Sequence, residues 1–214
     1  MIRISRKLTR PIKTLLFDLD DTLYPRSSGL MKKIGTQITL YTMERFNLPA
    51  HDSDVERRYH KEKYGASLAG YVHINNVNPR EFEDFVYNID YSQYLQPNAQ
   101  LLHFLTKSDY QKIIYTNGAR IHAEAVLKEL GIPQTCFNRI VALEDTEYYA
   151  KPMPASYQRM ITLPGIDPAE TVFFDVQERN LLAAQTHGIA GTVLVGAEKS
   201  SQVTLCVDEL TALV

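Results

Sequence analysis

Three aspartates, Asp18, Asp20 and Asp21, close an apolar run in "KTLLFDLDDTLYP", residues 13–25. The i, i+2 spacing of Asp18 and Asp20 turns both carboxylates to one side of a chain that is still extended there. Like charges about 4 Å apart repel by roughly 4 kcal/mol at an effective dielectric near 20. Such a pair calls for an opposing cation, a bound proton or a reaction that uses both groups. A plain structural role is also open, with Asp20 or Asp21 capping the turn that follows. Three later segments carry further polar groups. "IIYTNGA" ends in Thr116, Asn117 and Gly118, a hydroxyl followed by a flexible turn whose N–H groups could face an anion. "YYAKPMP" holds Lys151 ahead of a proline, and "FFDVQERN" ends an apolar run in Asp175. Each has a mundane counterpart: a simple turn, a solvated lysine, a helix cap. Their joint appearance, in order, at the ends of successive apolar runs argues for one shared site.

The elements that must position these residues are legible as runs and periods. Five short apolar runs read as strands: "TLLFDL" (14–19), "KIIYTN" (112–117), "RIVAL" (139–143), "TVFFDV" (171–176) and "GTVLVG" (191–196). They are continuous rather than alternating, as strands covered on both faces are. Helical patterns separate them. "ARIHAEAVLKELGI" spaces Ile121, Ala125 and Leu130 along one face and stops at Gly131; "RNLLAAQTHGI" stops in the same way at Gly188. Strand and helix in alternation predict a parallel sheet with helices on both faces, a Rossmann-like α/β core. In such sheets ligands sit at the C-terminal strand ends, where the polar residues fall.

Residues 27–94 break the rhythm. "GLMKKIGTQITLYTMERF" sets Leu30, Ile34, Ile38 and Tyr41 on one helical stripe. "DVERRYHKEKYG" predicts a polar helix ending at Gly65. "NPREFEDFVYNI" offers Asn78 as N-cap, Pro79 at N1 and Glu81 at N3, with Phe82, Phe85, Val86 and Ile89 as its apolar face. An all-helical cap is therefore expected over 26–96, inserted into a core formed by 11–25 and 97–214.

The remaining composition narrows the function class. A net charge of −2 over 214 residues gives no general attraction for nucleic acid or a membrane surface. No run approaches the roughly 18 apolar residues of a membrane span. The opening "MIRISRKLTRPIK" has basic residues but no apolar middle region, and reads as a basic arm rather than a secretion signal; a transit peptide is the alternative. Two distant cysteines, Cys136 and Cys206, fit a reducing, cytoplasmic setting, with a single disulfide as the alternative. There is no Gly-rich phosphate loop and no Ser/His/Asp order. His73, His103, His122 and His187 show no ligand spacing, and His122 and His187 are expected as partly exposed helix residues.

The order of an aspartate pair, a Thr-bearing turn, Lys-Pro and an Asp-bearing strand end resembles the haloacid dehalogenase-like phosphatases across nearly the whole chain. More narrowly, "FDLDDTLYP", "SGLM", "YGASLAGY", "TNGARIHAEAVLKELGI" and "KPMPASY" resemble the pyrimidine 5′-nucleotidase subfamily. The resemblance implies a Mg²⁺-dependent phosphatase that releases phosphate from a small monoester, a pyrimidine nucleoside 5′-monophosphate by subfamily. It implies Asp18 as the nucleophile, Asp20 as the acid and base, and Lys151 as the counter-charge. Thr116, Asn117 and Gly118 would hold phosphate, and Asp18, Asp20 (through its carbonyl) and Asp175 the metal. An acyl acceptor of the dehalogenase kind would not need Asp20. By the same similarity the loop around Tyr64 and Gly65 approaches the substrate. The tyrosines 59, 64 and 71 would then stack on a base or pack the cap interior, and Arg26 would be a phosphate or hinge contact, or merely solvated.

The chain departs from the pattern at its fourth strand end. The family's "DDSxxN" reads here Asp175-Val176-Gln177-Glu178-Arg179-Asn180, so Val176 stands where the second acid usually binds metal. Mg²⁺ tolerates water among its six ligands, so weakened binding rather than none is expected. Asp175 turning inward or Glu178 reaching back are the two ways to compensate. The alternative is a catalytically weakened relative that binds a phosphorylated ligand or a partner. Met153, where the subfamily often has an acid, lies outside the chemistry.

Overall fold

A computed structural model of the chain describes residues 10–196 and 200–210; the basic arm's Arg3, Arg6 and Lys7 lie outside them. Six strands form one parallel sheet: β1 (Thr14–Phe17), β2 (Gln111–Tyr115), β3 (Arg139–Val141), β4 (Thr171–Asp175), β5 (Gly191–Val195) and β6 (Leu205–Val207). Their order is β3-β2-β1-β4-β5-β6. β1 is central, with Leu16 level with Ile113 on one side and Phe173 on the other. All four β1 residues are buried, as its unbroken apolar run requires. Successive side chains go to opposite faces. Leu15 and Phe17 enter the larger core beside Phe104 and Phe174, while Leu16 joins Ile113, Tyr157 and Phe173 below the sheet. The first five strands fall on the five apolar runs. β6 has no such run behind it: it is three half-buried residues on the sheet edge.

Four helices fill the stretch between β1 and the sheet's return: α1 (Leu30–Phe46), α2 (Ala50–Tyr64), α3 (Ser67–Asn75) and α4 (Pro79–Val86). Asn78 caps α4 by accepting from the Arg80 N–H at 3.0 Å. Glu81 does not complete a capping box; its carboxylate accepts from the Tyr41 hydroxyl and pairs with Arg45. Tyr71 is fully buried among Tyr41, Phe46 and Phe82, with its hydroxyl 2.6 Å from Thr42 Oγ1. The segment "YGASLAGY", read from sequence as a loop, is instead a tight turn at Gly65 (φ +85°) that opens α3. Four more helices pack on the sheet: α5 (Ala99–Lys107), α6 (Arg120–Glu129), α7 (Pro154–Ile161) and α8 (Glu178–Thr186).

One helix is rotated from the expected phase. Ile121 is half exposed, and the buried face of α6 is His122, Ala123, Val126 and Leu127. The turn Thr116-Asn117-Gly118 delivers the chain so that position 122, not 121, points back over the strand ends. The predicted stops hold, with Gly131 and Gly188 at φ +67° and +84°.

Candidate active site

The strand ends of β1, β2 and β4 meet around one ammonium group. Lys151 is 1% exposed, and its Nζ donates to Asp18 Oδ1 at 2.8 Å, Asp175 Oδ2 at 3.0 Å and the Tyr115 carbonyl at 2.7 Å. An ammonium has three protons, and all three are used. Burial alone would lower the Lys151 pKa, but the charges of Asp175 and Asp18 outweigh it and hold the value above that of a free lysine. The effect on Asp18 is opposite in kind. Burial, and then the nearby Asp175 charge, raise its pKa further than Lys151 lowers it. Its second oxygen accepts from Thr22 Oγ1 at 3.0 Å, which fixes the carboxylate from both sides.

Asp20 stands in a separate network. Its Oδ1 accepts from the Tyr24 hydroxyl at 2.5 Å and lies 2.7 Å from His122 Nε2. The other His122 nitrogen is 2.9 Å from the Tyr91 hydroxyl, and Tyr87 stacks on the ring at 4.9 Å. Burial would raise the Asp20 pKa, but the charge and hydrogen bond of His122, with Tyr24, outweigh it and hold the carboxyl below its ordinary value. His122 is 1% exposed rather than the partly exposed residue expected from sequence. Its signal was its place in the first turn of a helix that leaves a strand end, where side chains look back over the sheet.

The β2 turn is partly committed within the protein. The Asn117 side chain is not turned to an anion: Nδ2 donates to the Lys151 carbonyl at 2.9 Å and the Gly65 carbonyl at 3.3 Å, while Oδ1 accepts from the Lys151 N–H at 2.7 Å. It is a tether that sets Lys151 against the sheet. The Gly118 N–H donates to Thr116 Oγ1 at 2.9 Å, so this N–H is not free for phosphate either; the Thr116 hydroxyl keeps its own proton to give. Gly118 remains essential for space, because a Cβ there would sit 2.9 Å from the His122 ring.

Asp175 is fully buried. Besides Lys151, it accepts from the Gln177 N–H at 2.7 Å and Asn180 Nδ2 at 2.9 Å. It does not turn inward as a free ligand. Glu178 does not reach back, since its carboxylate accepts from Ser200 Oγ. Val176 faces the cavity in their stead. Among the described residues no three His, Cys, Asp or Glu side chains group as a metal cage. The donor set expected for Mg²⁺ (Asp18, the Asp20 carbonyl and Asp175) does not fit the ion here for want of free carboxylate oxygens. The carboxylates of Asp18 and Asp175 are committed to Lys151, Thr22, Asn180 and the Gln177 N–H.

A cavity of about 190 Å³ joins the two networks. Asp18, Asp20, His122 and Lys151 line its floor. Its cap side is apolar at Ile34, Ile38, Leu68 and Phe82, and cationic at Arg26, Arg57 and Lys61. Gly65 lines it, and a Cβ there would meet the Lys151 carbonyl at 2.2 Å. Tyr64 is not part of the lining; its ring stands 5.7 Å from that of His60.

A parallel sheet in this order, with an aspartate at the end of its central strand, is a Rossmann-like α/β core. The chain belongs to the haloacid dehalogenase-like hydrolases, whose family profile matches residues 12–188. Solved structures share the fold at low identity. A HAD phosphatase from Thermococcus onnurineus superposes with a TM-score of 0.61 at 17% identity, over 94% of this chain and 96% of that one. The HAD-hydrolase YfnB of Bacillus subtilis, bound to magnesium, gives 0.55 at 16%, over 95% and 97%. L-2-haloacid dehalogenase from Xanthobacter autotrophicus, with chloropropionic acid covalently bound, gives 0.56 at 15%, over 89% and 80%. Among the described residues no helix is long and apolar enough to cross a membrane.

Proposed function

We propose that the chain is a phosphoric monoester hydrolase acting on small phosphorylated metabolites, with residues 26–96 as cap over a core of 11–25 and 97–214. The observation that carries this reading is the convergence of Asp18 and Asp20 on one cavity, with Lys151 bonded to Asp18. An Asp18 oxygen attacks phosphorus, and the P–O bond to the leaving alcohol breaks with its electron pair going to that oxygen. Asp20 supplies the alcohol's proton in the fraction of molecules where it carries one, a fraction kept small by His122 and Tyr24, and then takes a proton from the water that cleaves the aspartyl-phosphate. Lys151 and Thr116 stabilise the charged oxygens. The Gly118 backbone leaves room for them, and Asn117 acts through Lys151. Pyrimidine nucleoside 5′-monophosphates are the substrate class favoured by sequence resemblance. Both cysteines are free thiols, in keeping with a cytoplasmic setting. A magnesium requirement is supported by the resemblance and by the magnesium-bound neighbour, and opposed by the donor set of this chain.

A screen of phosphorylated metabolites, reading released phosphate, tests the proposal. Asp18→Asn is expected to abolish release while leaving the thermal melting curve in place; turnover by that variant would remove Asp18 as nucleophile. The second reading is a member that binds a phosphorylated ligand without turning it over, and Val176 in a metal-ligand position favours it. Such a protein would be stabilised by a phosphate ester that is recovered unchanged.

A further inference from the structure

Asp18, Asp20 and Asp21 all line the cavity, and an incoming phosphate adds more negative charge. Mg²⁺ needs close to six oxygens in octahedral array, usually one or two carboxylates with water and phosphate. Here Asp175 is fully buried and holds three donors, and both Asp18 oxygens are hydrogen-bonded. The buried cavity-lining side-chain oxygens left without a partner are the neutral Asn180 Oδ1 and Asp21 Oδ1, whose carboxylate already lies beside Arg26; Asp20 adds a single carboxylate oxygen, Oδ2, outside its bonds to Tyr24 and His122. The facing wall carries positive charge instead. Arg57 and Lys61 lie one turn apart on α2 and both line the cavity. Arg57 is tied to Asp54, whereas Lys61 makes no ion pair among the described residues. Desolvation at the cavity lowers the Lys61 pKa, and the charges of Arg179 and Arg57 lower it further, outweighing the opposite pull of Asp21 and Asp20: positive charge is in excess there.

We infer that a bound phosphate group is neutralised by protein cations alone, Lys151 from the core and Lys61, flanked by Arg57, from the cap, with no divalent ion recruited. The inference deepens the phosphatase reading, because the phosphate is that of the proposed substrate. It makes cap closure and charge compensation one event: Lys61 arrives with the lid.

The test uses inorganic phosphate as the probe, in the full chain, by titration calorimetry with and without EDTA. Wild type is expected to bind phosphate equally in both, and Lys61→Gln to weaken it by about tenfold, as loss of one charge-assisted contact does. Paramagnetic titration with Mn²⁺ is expected to show no stoichiometric site in wild type and one in Val176→Asp. Phosphate binding that needs Mg²⁺, one Mn²⁺ per wild-type chain lost in Asp18→Asn, no phosphate binding at all, or unaltered binding by Lys61→Gln would each overturn the inference. Lys61 is a surface side chain, so its variant keeps the fold. A chain that binds phosphate without metal yet releases none from any ester would refute the hydrolase reading and leave this inference standing.

Discussion

At the scale of single residues, the site is governed by how two buried carboxylates share one lysine. The Asp18 pKa is raised from 3.8 to about 7 by burial and by Asp175, against the pull of Lys151. Between those values the folded chain binds a proton that the unfolded chain has released, so this group's contribution to stability is lost as pH rises through the interval. Activity moves the other way, because only ionised Asp18 attacks. Phosphate release should therefore fall on the acid side with an apparent pKa near 7, and a limb near 4 in the pH–rate profile would contradict the assignment. Replacing Lys151 by Met leaves Asp18 and Asp175 facing each other with no counter-charge. Breaking a buried pair in this way costs about 3–5 kcal/mol, measurable by urea denaturation at neutral pH. The loss should shrink in acid, where the carboxylates protonate.

At the scale of elements, turns rather than strands determine which groups meet. The Gly65 turn between α2 and α3 presses on the Lys151 carbonyl, and the Asn117 amide holds both backbones. Gly65→Ala meets a positive φ and an overlap at 2.2 Å. The expected outcome is a loss of about 1–3 kcal/mol from backbone strain, together with a displaced Lys151 and lower turnover. A variant with wild-type melting temperature and rate would show that this contact is not maintained in solution. The same scale explains the main misreading from sequence. The stripe Ile121, Ala125 and Leu130 has helical spacing, but periodicity carries no absolute phase; the β2 turn puts His122 inward, onto Asp20.

At the scale of the whole molecule, the cavity is a product of cap and core together. Its volume of about 190 Å³ is below the roughly 300–1,000 Å³ of pockets that bury drug-sized ligands, so a nucleotide enters only if the cap moves. If cap opening gates entry, nucleotide turnover should decline with solvent viscosity while that of glycerol phosphate changes less. Equal viscosity dependence for both would place the slow step elsewhere. The five main strands, the helical insert and the acids at the strand ends were legible in the sequence because burial on two faces leaves unbroken apolar runs and glycines mark the stops. The partners were not. Asn117 bonds a residue 34 positions away and His122 one 102 positions away, and no local pattern encodes such meetings. Sequence by itself determined which chemical groups stand at the ends of the sheet, since run, turn and charge are local properties. Only the tertiary structure decided which of them are spent on one another: hydrogen-bond donors and acceptors are finite, and packing allots them.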